Sequence, residues 1–250
     1  MRKLIIAALV ALILAPVMRA QITPLTVTIT AGPGDTKQGC TVTYTASASG
    51  GCPGYTYRWS ASTGSGGTWT GSTITANASV LGTGTMSVTA TDSKQPTAST
   101  ATASRSYNIH KEYETTGPTT GGTASFGTAK AVSASATCPA DSPGNCSITF
   151  ITNTTASASI GLTVTGGADI GPIKASVAGT TTSTITSQTG QSYTFPIAPN
   201  ETKAIYARPA ILTRTGTWKK YDCSGLNSEG NWTNVDKQNP DWNYTAMTPS

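Results

Sequence analysis

The stretch Ser147–Thr165, SITFITNTTASASIGLTVT, alternates almost without a break. Ile148, Phe150, Ala156, Ala158, Ile160, Leu162 and Val164 fall on even positions, while the odd positions are mostly Ser, Thr, Asn or Gly. A period of two marks a strand with one buried face. Strands of globular proteins usually run about 5–6 residues, and this pattern persists about three times as far. GGADIGP then supplies a turn at Gly166–Pro172. The return segment IKASVAGTTTSTITSQTGQSYTFPI alternates in the other register, with Val177, Ile185, Tyr193, Phe195 and Ile197 on odd positions. The pattern predicts a long hairpin of residues 147–165 against 173–197, bent near Gly190. TKAIYARPAILTRTGTW reads as a further strand, and Pro209 places it at an edge or a bulge, because proline removes a ladder donor.

Upstream, Leu25 to Ile109 reads as short strands punctuated by glycine: LTVTIT, TVTYTASA, YTYRWSA, STITANASV, MSVTATD and ATASRSYNI. Turn signals every 8–12 residues between short strands are the pattern of a β-sandwich, with Trp59 as its core residue. HKEYETTGPTTGG, residues 110–122, holds the single histidine, two glutamates, a proline and three glycines, a composition that suits an interdomain linker. The expected organisation is a sandwich over 21–109, a linker over 110–122, an elongated β-domain over 123–222 and an Asn/Trp-rich tail over 223–250. The fold class expected is all-β.

The first twenty residues, MRKLIIAALVALILAPVMRA, pair a basic start with an apolar run and a small residue at position 20, the pattern of a signal peptide. They also hold Arg2, Lys3 and Arg19, so thirteen Lys/Arg remain after residue 20 against all eleven Asp/Glu, a net charge of +2. No cluster of Lys and Arg interleaved with aromatics supports nucleic-acid binding. All five cysteines lie beyond the leader, in a chain whose export permits disulfides. Cys138 and Cys146 bracket the tight loop PADSPGN and are the expected pair, by analogy with stapled loops of secreted proteins. Cys40 with Cys52 is a possible second pair, although the intervening strand must then bend near residues 46–49. Otherwise one of the two joins Cys223, and one cysteine is left over in either case.

GYTYRWSAS (54–62) followed by GTGTMSVTATDS (82–93) resembles the third- and sixth-strand signatures of immunoglobulin-like and polycystic-kidney-disease-type (PKD) modules. The resemblance covers about 85 residues and implies an immunoglobulin-like sandwich. Two departures stand out: Ser60–Ala61–Ser62 replaces the acidic glycine turn, and no cysteine lies on the strand of Val88, which excludes an antibody-type inter-sheet disulfide. Over residues 125–220 the long Ser/Thr-rich strands, the GADIGPI turn and SYTFPIAPNETKAIY resemble the elongated, twisted antiparallel β-domain of the aerolysin and epsilon-toxin family. That resemblance implies a hairpin able to rearrange into a membrane barrel, whose strands need about 9–11 alternating residues.

Few residues carry chemistry. His110 sits in the expected linker, away from any rigid nucleophile–base system, so its ordinary reading is a solvated residue. Eleven acids scattered over turns offer no preferred glycosidase pair. One histidine and mostly paired cysteines do not make a zinc site, and no cofactor is expected. The segment WKKYDCSGLNSEGNWTNVDKQNPDWNY (218–244) gathers aromatics among Asn, Asp and Gly. Aromatics in polar loops stack on sugars or anchor an interface, and Trp232, Trp242, Tyr244 and Tyr221 are the candidate binding residues. The alternative is that they cover the end of the domain. The expectation is a secreted or cell-surface, non-enzymatic recognition or adhesion protein with an extracellular protein or glycan ligand. The rival is an aerolysin-like pore former inserting the 147–197 hairpin into membranes.

Overall fold

The computed structural model describes residues 23–63 and 67–249. The expected signal peptide, residues 1–20, lies outside the described residues. The protein is all-β, with several antiparallel sheets and one short helix among the described residues. It divides into two compact units: Thr41–Asn108 with the segment up to Gly34, and Asp35–Cys40 with the chain from Ile109 onward.

The first half contains β1 (Thr26–Ala31), β2 (Asp35–Lys37), β3 (Thr41–Ser49), β4 (Thr56–Ala61), β5 (Thr68–Thr70), β6 (Thr73–Asn77), β7 (Gly82–Thr91) and β8 (Thr100–His110). Sheet order is β1-β3-β6 on one side and β8-β7-β4-β5 on the other. Val42, Tyr44 and Ala46 on β3 and Met86, Val88 and Ala90 on β7 all point inward, and Trp59 is fully buried with its Nε1–H donating to Gly71 O at 2.8 Å. The tyrosine of one sheet meets the tryptophan of the other: the Tyr44 and Trp59 rings lie 6.3 Å apart at 50°. Alternate positions face outward as hydroxyls that bond across strands, as between Ser87 and Ser104 and between Thr89 and Thr102. The abundance of Ser and Thr is therefore the wet face of a period-two pattern.

The second unit is organised by one hairpin. β17 (Thr202–Asp222) and β18 (Gly225–Met247) pair from Ala204↔Met247 down to Asp222↔Gly225. The far edge of β17 carries the short strands β9 (Tyr113–Thr116), β10 (Thr123–Phe126), β11 (Lys130–Ala131) and β12 (Ala136–Thr137). Residues 223–250 hold β18, and the expected linker holds β9; both pair with β17.

The stretch Ser147–Thr165 is not one continuous strand. It forms two, β13 (Cys146–Ile151) and β14 (Ser157–Val164), in two different sheets. β13 pairs with β16 (Ser192–Ile197); β14 pairs with β15 (Ser183–Thr186) and, through Gly161–Val164, with β18. Between them the ladder is replaced by local bonds. Thr152 accepts from Gln191 N at 2.9 Å, Ala156 N donates to Ser187 Oγ at 2.8 Å, and Asn153 N donates to Val132 O at 2.8 Å. The alternation survives because both strands present even-numbered residues inward: Phe150, Ala156 and Ile160 share one core with Ile197, Ile205 and Trp242. The expected turn and start of the return strand instead form α1 (Ile170–Ser176), capped by Asp169, whose Oδ1 accepts from Gly171 N at 3.0 Å. Pro172 falls in the first turn, where its missing N–H costs nothing, and Ile173 and Val177, four apart, bury one face of that turn.

Two cross-strand pairs bind the layers. Gly216 on β17 faces Trp232 on β18, and Trp218 on β17 faces Gly230 on β18. Trp232 Nε1–H donates to Thr116 O at 3.0 Å and Trp218 Nε1–H to Thr165 O at 2.9 Å. A Cβ on Gly216 would stand 1.9 Å from Thr116 O and 2.7 Å from the Trp232 ring; one on Gly230 would stand 2.4 Å from Thr165 O and 2.9 Å from Trp218. Each glycine makes room for an indole lying across it, a known way of covering a glycine in a sheet.

Two disulfides are present. Cys138–Cys146 closes its loop, and Cys40 is bonded to Cys223 in the hairpin turn, with Cα atoms 5.4 Å apart, rather than to Cys52. The reason is β3: nine extended residues between Cys40 and Cys52 hold them about 30 Å apart along the strand. Cys52 is the free cysteine.

Gly216→Ala is expected to destabilise the second unit by about 1–3 kcal/mol through overpacking, read by urea denaturation followed by tryptophan fluorescence. The double variant Cys40→Ser/Cys223→Ser should lower its unfolding free energy by about 2–5 kcal/mol; an unchanged urea midpoint would show that the bridge does not restrain the hairpin turn.

Candidate functional site

After a register shift between Lys220 and Tyr221 beside the hairpin turn, β18 runs as a regular ladder from Ser228 to Lys237. Trp232 and Asn234 are buried on one face, and the alternate residues Thr233 and Val235 are less covered. At Gln238-Asn239-Pro240-Asp241 the regularity breaks. Lys237 pairs with Ile211 and Trp242 with Pro209, so four residues of β18 stand opposite Ala210 alone. Pro240 cannot donate to a ladder, and Pro209 opposite removes a second donor, so the chain leaves the sheet here. Gln238 Nε2 donates to Ile211 O at 2.6 Å and ties the bulge to β17.

The bulge opens a cleft of about 240 Å³ lined by Thr186, Gln188, Tyr193, Pro240, Asp241, Trp242 and Tyr244. Tyr193 of β16 and Tyr244 of β18 stack with centroids 4.6 Å apart and an interplanar angle of 23°. The Tyr244 hydroxyl accepts from Gln188 N at 3.3 Å. Burial, and then the neighbouring Tyr244, pushes the Tyr193 phenol above its ordinary range, so it is neutral at physiological pH. Asp241 is ion-paired with Lys237 at 3.8 Å. Trp242 is buried, and its Nε1–H has no hydrogen-bond partner.

Of the four residues expected to bind, the structure puts Trp242 and Tyr244 at this cleft and sets the other two elsewhere. Trp232 is 1 % exposed and lies with Trp218, Ile173 and Val177 in the second core of the unit, so it offers no face to a ligand. Trp242 reaches the cleft as a floor residue, not as an exposed platform. Tyr221 is buried and stacked on His110, with centroids 3.7 Å apart and planes within 2°. Burial, followed by the carboxylates of Glu114, Asp35 and Glu229, raises its phenol. His110 is no solvated linker residue. Its Nε2 lies 3.1 Å from Asp35 Oδ1 and its Nδ1 3.0 Å from Glu114 Oε1. Both ring nitrogens are engaged, and neither is presented to a substrate. Among the described residues no group of three or more His, Cys, Asp or Glu has a geometry that could hold a metal ion.

Tyr193, Gln188, Thr186, Pro240 and Asp241 were not candidates from sequence. One signal pointed there: the proline of QNPD, the same kind of sign read at Pro209.

No protein-family model matches the chain, and no curated protein shows significant similarity to it.

At the hairpin turn, Asp222 accepts from Ser224 N at 2.8 Å, Ser224 Oγ at 2.6 Å and Asn227 Nδ2 at 2.6 Å, and these bonds hold its carboxyl at about 2. Because the folded carboxyl titrates below an unfolded aspartate, the turn's stabilisation is complete above about pH 4 and lost as pH falls through about 2. Asp222→Asn should remove that component: its thermal midpoint is expected to change less than the parent's between pH 4 and pH 2. Equal pH slopes for the two proteins would show that Asp222 carries none of it.

Proposed function

We propose that the protein is an exported, non-enzymatic recognition protein whose second unit binds an extracellular ligand at the Tyr193–Tyr244 cleft. The observation that carries this reading is the bulge itself. Apart from a one-residue shift beside the hairpin turn, the ladder departs from regularity where two tyrosines, a tryptophan, an amide and a carboxylate converge. Bulges concentrate beside functional sites because they re-aim side chains. Stacked tyrosines on paired strands supply contact area at small cost in conformational entropy.

Other features agree with it. Two disulfides suit an oxidising compartment. The two facing sheets of the first unit, with Trp59 sealed between them, support the PKD- or immunoglobulin-like resemblance and a role as a binding or spacing module. Membrane insertion is the weaker reading: α1 interrupts the segment 147–197, and β13 and β14 lie in different sheets instead of forming one hairpin.

The test uses the secreted form, fluorescently labelled and applied to an array of extracellular glycans and matrix proteins. Tyr193→Ala/Tyr244→Ala should reduce binding at least tenfold, while Ile151→Ser, at an exposed position of β13 outside the cleft lining, should leave it unchanged. Equal binding by the double-tyrosine variant, with its near-UV circular dichroism preserved, would remove the cleft from the function.

A further inference from the structure

The chemistry of the cleft narrows the class of its ligand, given the recognition role proposed for it. We propose that this ligand is an uncharged sugar ring, and that the indole N–H of Trp242 donates to one of the ring's hydroxyls.

Charge disfavours one class of ligand first. The lining contains no Lys, Arg or His, and its one carboxylate, Asp241, already faces Lys237 at 3.8 Å. The Tyr193 phenol, pushed upward by burial, adds no charge. An anionic ligand would meet no cation in the lining, and Lys237 outside it is already paired with Asp241, so the cleft offers an anion little attraction. A peptide is disfavoured by the backbone. Extended peptides bind by adding a strand to an open edge, and the edge here carries Pro240, which has no N–H to offer. About 240 Å³ is also below the usual 300–1,000 Å³ of pockets for drug-sized ligands, a size for one ring.

A sugar ring presents an apolar C–H face and a rim of hydroxyls. The cleft presents the matching pair: aromatic rings of Tyr193, Tyr244 and Trp242, and around them the Gln188 amide, the Thr186 hydroxyl and the Asp241 carboxylate. The unmade hydrogen bond of Trp242 is the second, independent sign. Buried indole N–H groups nearly always have a partner, and Trp59, Trp218 and Trp232 each donate to a backbone carbonyl at 2.8, 2.9 and 3.0 Å. Trp242 Nε1 does not. It is covered in the unliganded cleft, so donation requires the lining to shift; Pro240 and Asp241, which line it, stand off the ladder in the bulge that the Gln238 side chain ties to β17.

Methyl glycosides of glucose, galactose, mannose and N-acetylglucosamine, with sialic acid as the charged comparison, are titrated against the secreted form by isothermal calorimetry and by tryptophan fluorescence. At least one neutral glycoside should bind, and more tightly than sialic acid. Trp242→Phe keeps an aromatic ring and removes the unpaired donor together with the pyrrole part of the indole. It should weaken that glycoside about threefold to tenfold while the near-UV circular dichroism stays that of the folded protein. Unchanged affinity in Trp242→Phe, or equal binding of sialic acid, overturns the proposal. So does the absence of binding by any glycoside while the array still shows a Tyr193/Tyr244-dependent protein ligand, an outcome that leaves the recognition reading standing. If the double-tyrosine variant also binds the array normally, the recognition reading fails with it.

Discussion

Two tryptophans laid across two glycines hold the second unit together. Trp232 covers Gly216 and bonds the carbonyl of Thr116; Trp218 covers Gly230 and bonds the carbonyl of Thr165. The two devices run in opposite directions across the same hairpin, so each of β17 and β18 supplies one indole and one gap. Thr116 ends β9 on one side of the hairpin and Thr165 follows β14 on the other, so the same pair fastens both flanking strands. Truncating a core tryptophan typically costs about 3–5 kcal/mol. Here each also satisfies a strand-end carbonyl that would otherwise lack a partner.

The same hairpin accepts a buried charge for a related reason. Arg214 is 6 % exposed, and its guanidinium donates to Asp236 at 2.8 Å, to Val177 O at 3.1 Å, to Ala178 O at 3.3 Å and to Thr119 O. Asn234 accepts from Thr180 N at 2.7 Å and donates to Asp236 at 2.8 Å. The carbonyls served belong to the loop after α1 and to the segment following β9, neither of which has a strand to pair with at that point. A buried ion pair is weak support for stability by itself. This one is the means by which irregular backbone is packed against a sheet without orphaned acceptors.

Against so much satisfied structure the bulge at 238–241 is an exception, and the exception carries the candidate site. Regular pairing fills the backbone donors of the ladder and presents most hydroxyls outward, leaving little that could discriminate a ligand. Where proline prevents pairing, side chains from β16, β18 and the segment between β15 and β16 come to one concavity. His110 shows the converse. Its surroundings are rich in chemistry, yet both nitrogens and one ring face are occupied by Asp35, Glu114 and Tyr221, which makes it a fastening between β2, the end of β8, β9 and β17.

Much was legible in the sequence, and the limits have a physical cause. Alternation at Ser147–Thr165 and throughout Leu25–Ile109 determined that the chain is all-β and which side chains face inward: Trp59, Phe150, Ile160 and Ile197 are buried as that pattern requires. It could not determine what pairs with what, because a period of two is a property of one strand and is the same whichever neighbour the strand takes. Hence one alternating run became two strands in two sheets, the supposed linker and tail became ladder members, and Cys40 found Cys223 across 183 residues. The fate of the aromatics depended on tertiary structure as well. Trp232 and Trp242 sit in equally polar sequence, and only the glycine opposite Trp232 and the bulge beside Trp242 decide that one is walled in while the other floors a cleft.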